Sequence, residues 1–272
     1  MIINIDNFSG TKGYDIDLRQ KDVGGGKITK KQIDSIKQYP DAKSIIISGL
    51  EQKTFEYFIN EYGKQFQAIS FWKNKGVEDL SLLSELQYIE FITYFFNQKA
   101  TKLWEMSNNK ELKGLQIDDF TKLHSIDEIE YAPNLEVFNI GNAVWAKMQI
   151  DSLKPVAKST VTCFSWYGDK VNDSDYFCLA NSRIKTLDIS PRYFTVDELA
   201  KLLAVLPEDL DGTITKPYSV GMVTEAEGTE TTYYYLCKGK KKCIKGIDDE
   251  RFQSYLDKFA MLVDTYRKIR NS

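Results

Sequence analysis

Few residues in this 272-residue chain have the types and spacing that chemistry requires. There is one histidine, His124, so a Ser-His-Asp or Cys-His arrangement would have to use it. It stands beside Leu123 in a return segment, where a surface or packing role is expected. Gly24-Gly25-Gly26-Lys27 looks at first like a phosphate loop. The glycine needed five residues before Gly26 is Lys21, however, and Ile28 replaces the Ser/Thr that would hold magnesium. The four cysteines, 163, 178, 237 and 243, have no framework spacing and no second pair to complete a zinc set. Asp15/Asp17 and Asp173/Asp175 are better explained as turn formers than as an acid–base pair. No catalytic, cofactor-binding or metal-ligating residue is therefore assigned, and no cofactor is expected. The expectation is a protein that is not an enzyme.

The elements are more informative than the single residues. From Ala42 to Ile189 the pattern apolar-x-x-apolar-x-apolar recurs seven times, as Ala42-Ile45-Ile47, Phe66-Ile69-Phe71, Leu86-Ile89-Phe91, Leu112-Leu115-Ile117, Leu135-Phe138-Ile140, Val161-Phe164-Trp166 and Ile184-Leu187-Ile189. Steps between the middle residues are 24, 20, 26, 23, 26 and 23. A period near two dozen residues is the mark of a stacked-repeat architecture, in which each unit buries its face against its neighbours. Each copy predicts a short strand followed by a return segment. The first return has Phe55, Phe58, Ile59 and Tyr62 at helical spacing, with Gly63 ending it. The seventh is capped by Thr195, with Glu198 completing a capping box before Leu199, Leu202, Leu203 and Leu206. Before the repeats, Ile2–Ile5 and Tyr14–Leu18 alternate like strands, and Thr29 with Gln32 begins a short helix. After them come a loop at 219–230, a hairpin from Thr231 to Ile244 turning at Lys238–Lys242, and a final helix from Asp248.

The seven copies resemble leucine-rich repeats, whose unit reads L-x-x-L-x-L-x-x-N-x-L. That resemblance implies an α/β fold: a curved leucine-rich-repeat solenoid with a parallel sheet on its concave side and helices or turns on its convex side. It divides the chain into an N-terminal cap at 1–41, about seven repeats over 42–207, and a C-terminal cap with hairpin and helix at 208–272. The family's asparagine falls here on Leu50, Asn74, Tyr94, Phe120, Ala143, Asp169 and Arg192, so only Asn74 fits. Seven unrelated strands in a conventional α/β layout remain the alternative.

Strand alternation then nominates the outward side chains. The central column is Ile46, Ser70, Glu90, Gln116, Asn139, Ser165 and Asp188. Flanking columns include Trp72, Tyr88, Ile92, Asp118 and Tyr167. With one flanking column on each side, the seven copies give 21 outward positions, which hold three acids and no Lys or Arg. The function expected is that of a protein–protein interaction scaffold, binding a protein or peptide with a basic patch on the concave face. Its contact residues would be Trp72, Tyr88, Glu90, Asp118, Tyr167 and Asp188. The alternative is a regulatory or nucleic-acid-associated subunit using the lysine-rich hairpin 238–245. Net charge −3 and pI about 5.5 weigh against general nucleic-acid binding. No apolar run reaches the roughly 20 residues of a membrane span, no secretion signal opens the chain, and the cysteines fit a reducing compartment. The expectation is a cytoplasmic protein with no membrane contact.

Overall fold

The computed structural model describes residues 2–22, 24–145, 147–224 and 228–271. The chain is mixed α/β and divides into two compact units, residues 1–183 and 184–272.

In the first unit seven strands lie side by side in a parallel sheet. They are β1 (Ile16–Leu18), β2 (Ser44–Ser48), β3 (Ala68–Trp72), β4 (Phe91–Asn97), β5 (Gly114–Phe120), β6 (Val137–Gly141) and, beyond the two-residue β7 (Gln149–Ile150), β8 (Cys163–Tyr167). Spatial order follows chain order, so every connection is a crossover between neighbouring parallel strands. The first crossover after β2 is α2 (Gln52–Tyr62), whose Phe55, Phe58, Ile59 and Tyr62 are buried as their spacing predicts. It follows α1 (Lys30–Ile33), which is capped by Thr29 and Gln32 as expected. Later crossovers shrink to 3₁₀ turns at Ser81–Glu85 and Asp127–Tyr131, and to α3 (Lys154–Lys158), which Pro155 begins. The minimal strand β9 (Lys170–Val171) pairs with β7.

The inward side chains form continuous apolar columns. One is Ile45, Ile69, Ile92, Leu115, Phe138 and Phe164; the next is Ile47, Phe71, Tyr94, Ile117, Ile140 and Trp166. All are buried, and each large apolar side chain contributes about 1.5–3 kcal/mol. The third copy corrects the sequence reading. Its triad is Ile89-Ile92-Tyr94, three residues later than Leu86-Ile89-Phe91. With Ile92 as the middle residue, the steps 45, 69, 92, 115, 138 become nearly uniform. Tyr94 replaces an aliphatic residue because its hydroxyl donates to the Asn74 carbonyl at 2.9 Å, while its ring stacks on Phe71 at 5.0 Å.

The shift also moves the asparagine position of that copy from Tyr94 to Asn97. Asn74 and Asn97 are both fully buried and fully used. Asn74 accepts from Leu50 N–H at 2.7 Å and donates to the Ile47 carbonyl at 3.0 Å. Asn97 accepts from Lys99 and Ala100 N–H at 2.8 Å each, and donates to the Val77 carbonyl at 2.8 Å. These bonds satisfy backbone groups that leave the sheet in buried turns.

The N-terminal segment is a second correction. Ile2–Ile5 is not a strand; residues 2–14 fold over the outward face of the sheet. Phe8 stacks on Phe91 at 5.5 Å and packs on Ala68, with Ile3, Ile5, Tyr14 and Val137 around it. The Tyr14 hydroxyl faces Ser70 and Thr93, and burial raises its pKa.

The second unit contains β10 (Thr186–Ile189), α4 (Val196–Val205), the antiparallel strands β11 (Tyr218–Thr224), β12 (Glu230–Leu236) and β13 (Cys243–Ile244), and α5 (Asp249–Asn271). Thr195 and Glu198 form the expected capping box on α4. Thr213–Thr215 is a 3₁₀ turn, and the first half of the expected loop at 219–230 is β11; residues 225–227 of that loop lie outside the described residues. One face of the three-stranded sheet packs on α5, where Phe252 stacks on Tyr234 at 4.0 Å.

Candidate functional site

The site is the outward row at the C-terminal ends of the first unit's strands. In register, that row reads Ser48, Trp72, Phe95, Asp118, Gly141 and Tyr167. The rows below it are partly closed: Ser44, Ala68, Ser70, Phe91 and Thr93 are buried, several of them beneath the N-terminal segment. Gln116, Asn139, Ser165 and Tyr167 stay half-exposed. The open face therefore runs from β5 to β8, and in the C-terminal row only Trp72 and Tyr167 are accessible.

Backbone geometry prepares this edge. Four successive strands have a residue with positive φ at their C-terminal end, just past the strand at Gly49 (77°) and Lys73 (55°) and next to its last residue at Phe96 (66°) and Asp119 (54°). Only one is glycine. For the others the left-handed conformation costs about 1–2 kcal/mol each, and the buried bonds that follow each strand hold it. The turn re-aims Lys73 and Phe96 beside the row instead of into the core.

An aromatic cluster results. Trp72 meets Phe95 at 4.5 Å between ring centroids, Phe95 stacks on Trp145 at 5.6 Å, and Phe96 contacts Trp145 at 4.8 Å. The Lys73 ammonium lies 5.7 Å from the Trp72 ring centre and 5.1 Å from that of Trp145. Trp145 is 51% exposed. Its loop is held from below by Asp119, whose carboxylate accepts the N–H groups of Ala143, Val144 and Trp145 at 2.8–3.0 Å.

Next to the rings is a polar group. Asp118 is only 6% exposed. Its Oδ1 accepts from the Tyr167 hydroxyl at 2.5 Å, and its Oδ2 accepts from the Gln116 amide. Tyr167 reaches Asp118 across β6 because Gly141 lies between them; a Cβ on Gly141 would stand 2.5 Å from the Tyr167 ring. Burial pushes the Asp118 carboxyl up to about 6, with Asp119 adding to the rise, although the Tyr167 and Gln116 hydrogen bonds act the other way. Burial and the Asp118 charge together raise the Tyr167 phenol. Gln116 Oε1 is buried and has no hydrogen-bond partner. Asp118 and Gln116 thus form an acceptor-rich patch beside stacked rings, an arrangement suited to a donor-bearing cation.

Of the residues expected from sequence, Trp72, Asp118 and Tyr167 come together here. Tyr88 does not: it precedes β4 and is 68% exposed. Glu90 also precedes β4 and pairs with Lys113 at 2.7 Å. The three-residue slip put both in the outward columns, and it put the core residue Ile92 there too. Asp188 belongs to the second unit, where it accepts from Thr213 N–H at 2.9 Å. Lys73, Phe95, Phe96, Gln116 and Trp145 complete the cluster but were not named as contact residues. Trp145 has a signal of its own, a tryptophan just past a predicted strand and outside every apolar triad. The remaining sequence candidates are structural. His124 is exposed, with Nδ1 3.0 Å from the Gln149 carbonyl. Asp15 accepts from Lys43 and Ser44 N–H, and Asp173 and Asp175 face Lys154 at 3.7 Å. All four cysteines are free thiols. Among the described residues no helix is long and apolar enough to cross a membrane. No family model matches the chain, and no curated protein matches it in sequence.

Proposed function

We propose that this chain is a protein-interaction scaffold of the leucine-rich-repeat kind, a curved solenoid whose open sheet face binds a partner through a basic side chain. The regular spacing of neighbouring parallel strands and the buried Asn74 and Asn97 support the repeat reading. The observation that carries the binding reading is the exposed Trp145 stacked on Phe95 and in contact with Phe96, beside the acceptor patch of Asp118 and Gln116. Aromatic anchors next to a buried acid suit an arginine or lysine of the partner, with the ring giving area and the carboxylate giving direction. Its role is binding rather than catalysis, and its cellular place is the cytoplasm.

A peptide array of lysine- and arginine-containing sequences, probed with the full chain, tests this reading. Arginine-centred peptides should be retained. Trp145→Ala should lower their affinity about tenfold or more, as hot-spot truncation does, with the unfolding midpoint unchanged. Retention of the same peptides at wild-type affinity by Trp145→Ala would place binding elsewhere.

A further inference from the structure

The second unit presents a different chemistry on the face of its three-stranded sheet that points away from α5. Direct pairing assigns the faces. Tyr218, Val220 and Met222 lie opposite Leu236, Tyr234 and Thr232, and Tyr218 and Tyr234 both contact Phe252 of α5. Ser219, Gly221 and Val223 lie opposite Tyr235, Tyr233 and Thr231 on the other face. There, Tyr233 and Tyr235 are half-exposed, 6.1 Å apart. Gly221 leaves the surface flat, since a Cβ at that position would stand 2.7 Å from the Tyr235 ring.

Cations lie over both rings, on long side chains that can swing to a phosphate when a base takes the ring face. The Arg192 guanidinium is 5.4 Å from the Tyr235 ring centre; the Lys242 ammonium is 3.5 Å from that of Tyr233 and 5.9 Å from that of Tyr235. They come from separate segments, so the row Arg192–Tyr235–Tyr233–Lys242 is built by the fold. The adjoining turn adds Lys238, Lys240, Lys241 and Lys245, and no acidic residue occurs between Thr231 and Ile247. Residues 184–272 carry 14 basic and 14 acidic side chains. The basic charge is therefore concentrated here, which the whole-chain pI conceals.

We propose that this face is a binding surface for single-stranded nucleic acid. Alternate tyrosines on a flat strand offer stacking platforms for unpaired bases, and the flanking lysines and Arg192 meet the phosphates. Charge alone would fit any polyanion, and edge protection alone would explain lysines in the turn. Neither explains two rings side by side on the same face between two cations. Duplex is excluded as the occupant because its bases are already stacked on each other.

The test uses the full chain and fluorescein-labelled 20-nucleotide probes, oligo(U) and oligo(dT), in fluorescence anisotropy. Binding of one or both is expected, weakening steeply with salt; the two arms separate RNA from DNA. Tyr233→Ser with Tyr235→Ser should weaken it about tenfold or more. Lys240→Gln with Lys241→Gln, which leaves the Lys242–ring contact in place, should flatten the salt slope. Circular dichroism and thermal melting establish that the variants are folded. Absence of binding at low salt, equal binding of a 20-base-pair duplex, equal binding of polyglutamate, or insensitivity to loss of both tyrosines in a folded variant would each overturn the proposal.

Discussion

Asp118 is the residue whose environment has the most direct solution consequence. A carboxyl held at about 6 in the folded chain titrates near 3.9 when unfolded. The folded state therefore favours its protonated form. The stability this contributes is fully present below about pH 4 and is lost as pH rises through 6. Two pK units correspond to about 3 kcal/mol. Asn in place of Asp118 carries no charge, keeps an acceptor for the Tyr167 hydroxyl, and turns a donor toward Gln116, whose unpaired Oε1 can accept it once that amide flips. Asp118→Asn should thus match the wild type near pH 4 and exceed it by up to about 3 kcal/mol above pH 7, measured by urea unfolding of both proteins across that range. A stability difference that stays flat with pH would show that Asp118 is not desolvated in the way its surroundings imply. Tyr167 and Asp119, the ionisable neighbours contributing to its shift, stay unchanged in both proteins, so the comparison isolates one group. The candidate site was legible in part at this scale. Asp118 and Tyr167 share an outward column, but their contact spans 49 residues and needs Gly141 bare between them, which spacing alone does not reveal.

At the scale of elements, the N-terminal segment changes what the sheet can offer. An open sheet face with Ala68, Phe91 and Gly114 in a row would be a shallow apolar strip, and Phe8 fills it. Phe8→Ala should destabilise the chain by about 3–5 kcal/mol, the range for emptying a buried phenylalanine site, read as a lower urea midpoint. A loss below about 1 kcal/mol would mean that residues 2–14 are not seated on the sheet in solution. This element was misjudged because alternation in Ile2–Ile5 is a short signal, and it cannot distinguish a strand from an extended strap that anchors one aromatic ring. The evenly spaced parallel strands, by contrast, are legible from their period. The slip in the third copy has a physical cause. Leu86-Ile89-Phe91 and Ile89-Ile92-Tyr94 fit the same apolar template, and only partners beyond the template separate them: a carbonyl for the Tyr94 hydroxyl, and Asn97 at the turn. Burial of a tyrosine depends on that remote hydrogen bond, so hydropathy alone misplaces it.

For the molecule as a whole, the near-neutral charge hides two opposed chemistries. The first unit pairs rings with Asp118 and an unpaired amide oxygen; the second pairs rings with Arg192 and lysines. On the two proposals the first set takes a cation, beside the Lys73 already against its rings, and the second takes an anion, so one ligand class does not serve both. The two surfaces belong to units with their own cores, and nothing in the chemistry of one requires the other to be occupied. Their energetics should therefore add. Trp145→Ala should leave oligonucleotide affinity within about twofold of wild type, Tyr233→Ser with Tyr235→Ser should leave peptide affinity within the same margin, and the combined variant should show both losses in full. Titrating oligonucleotide into the preformed peptide complex should yield a ternary species by analytical ultracentrifugation. If saturating peptide shifts oligonucleotide affinity fivefold or more, linkage requires the reciprocal shift, and the two faces would be states of one switch in place of two independent docking surfaces.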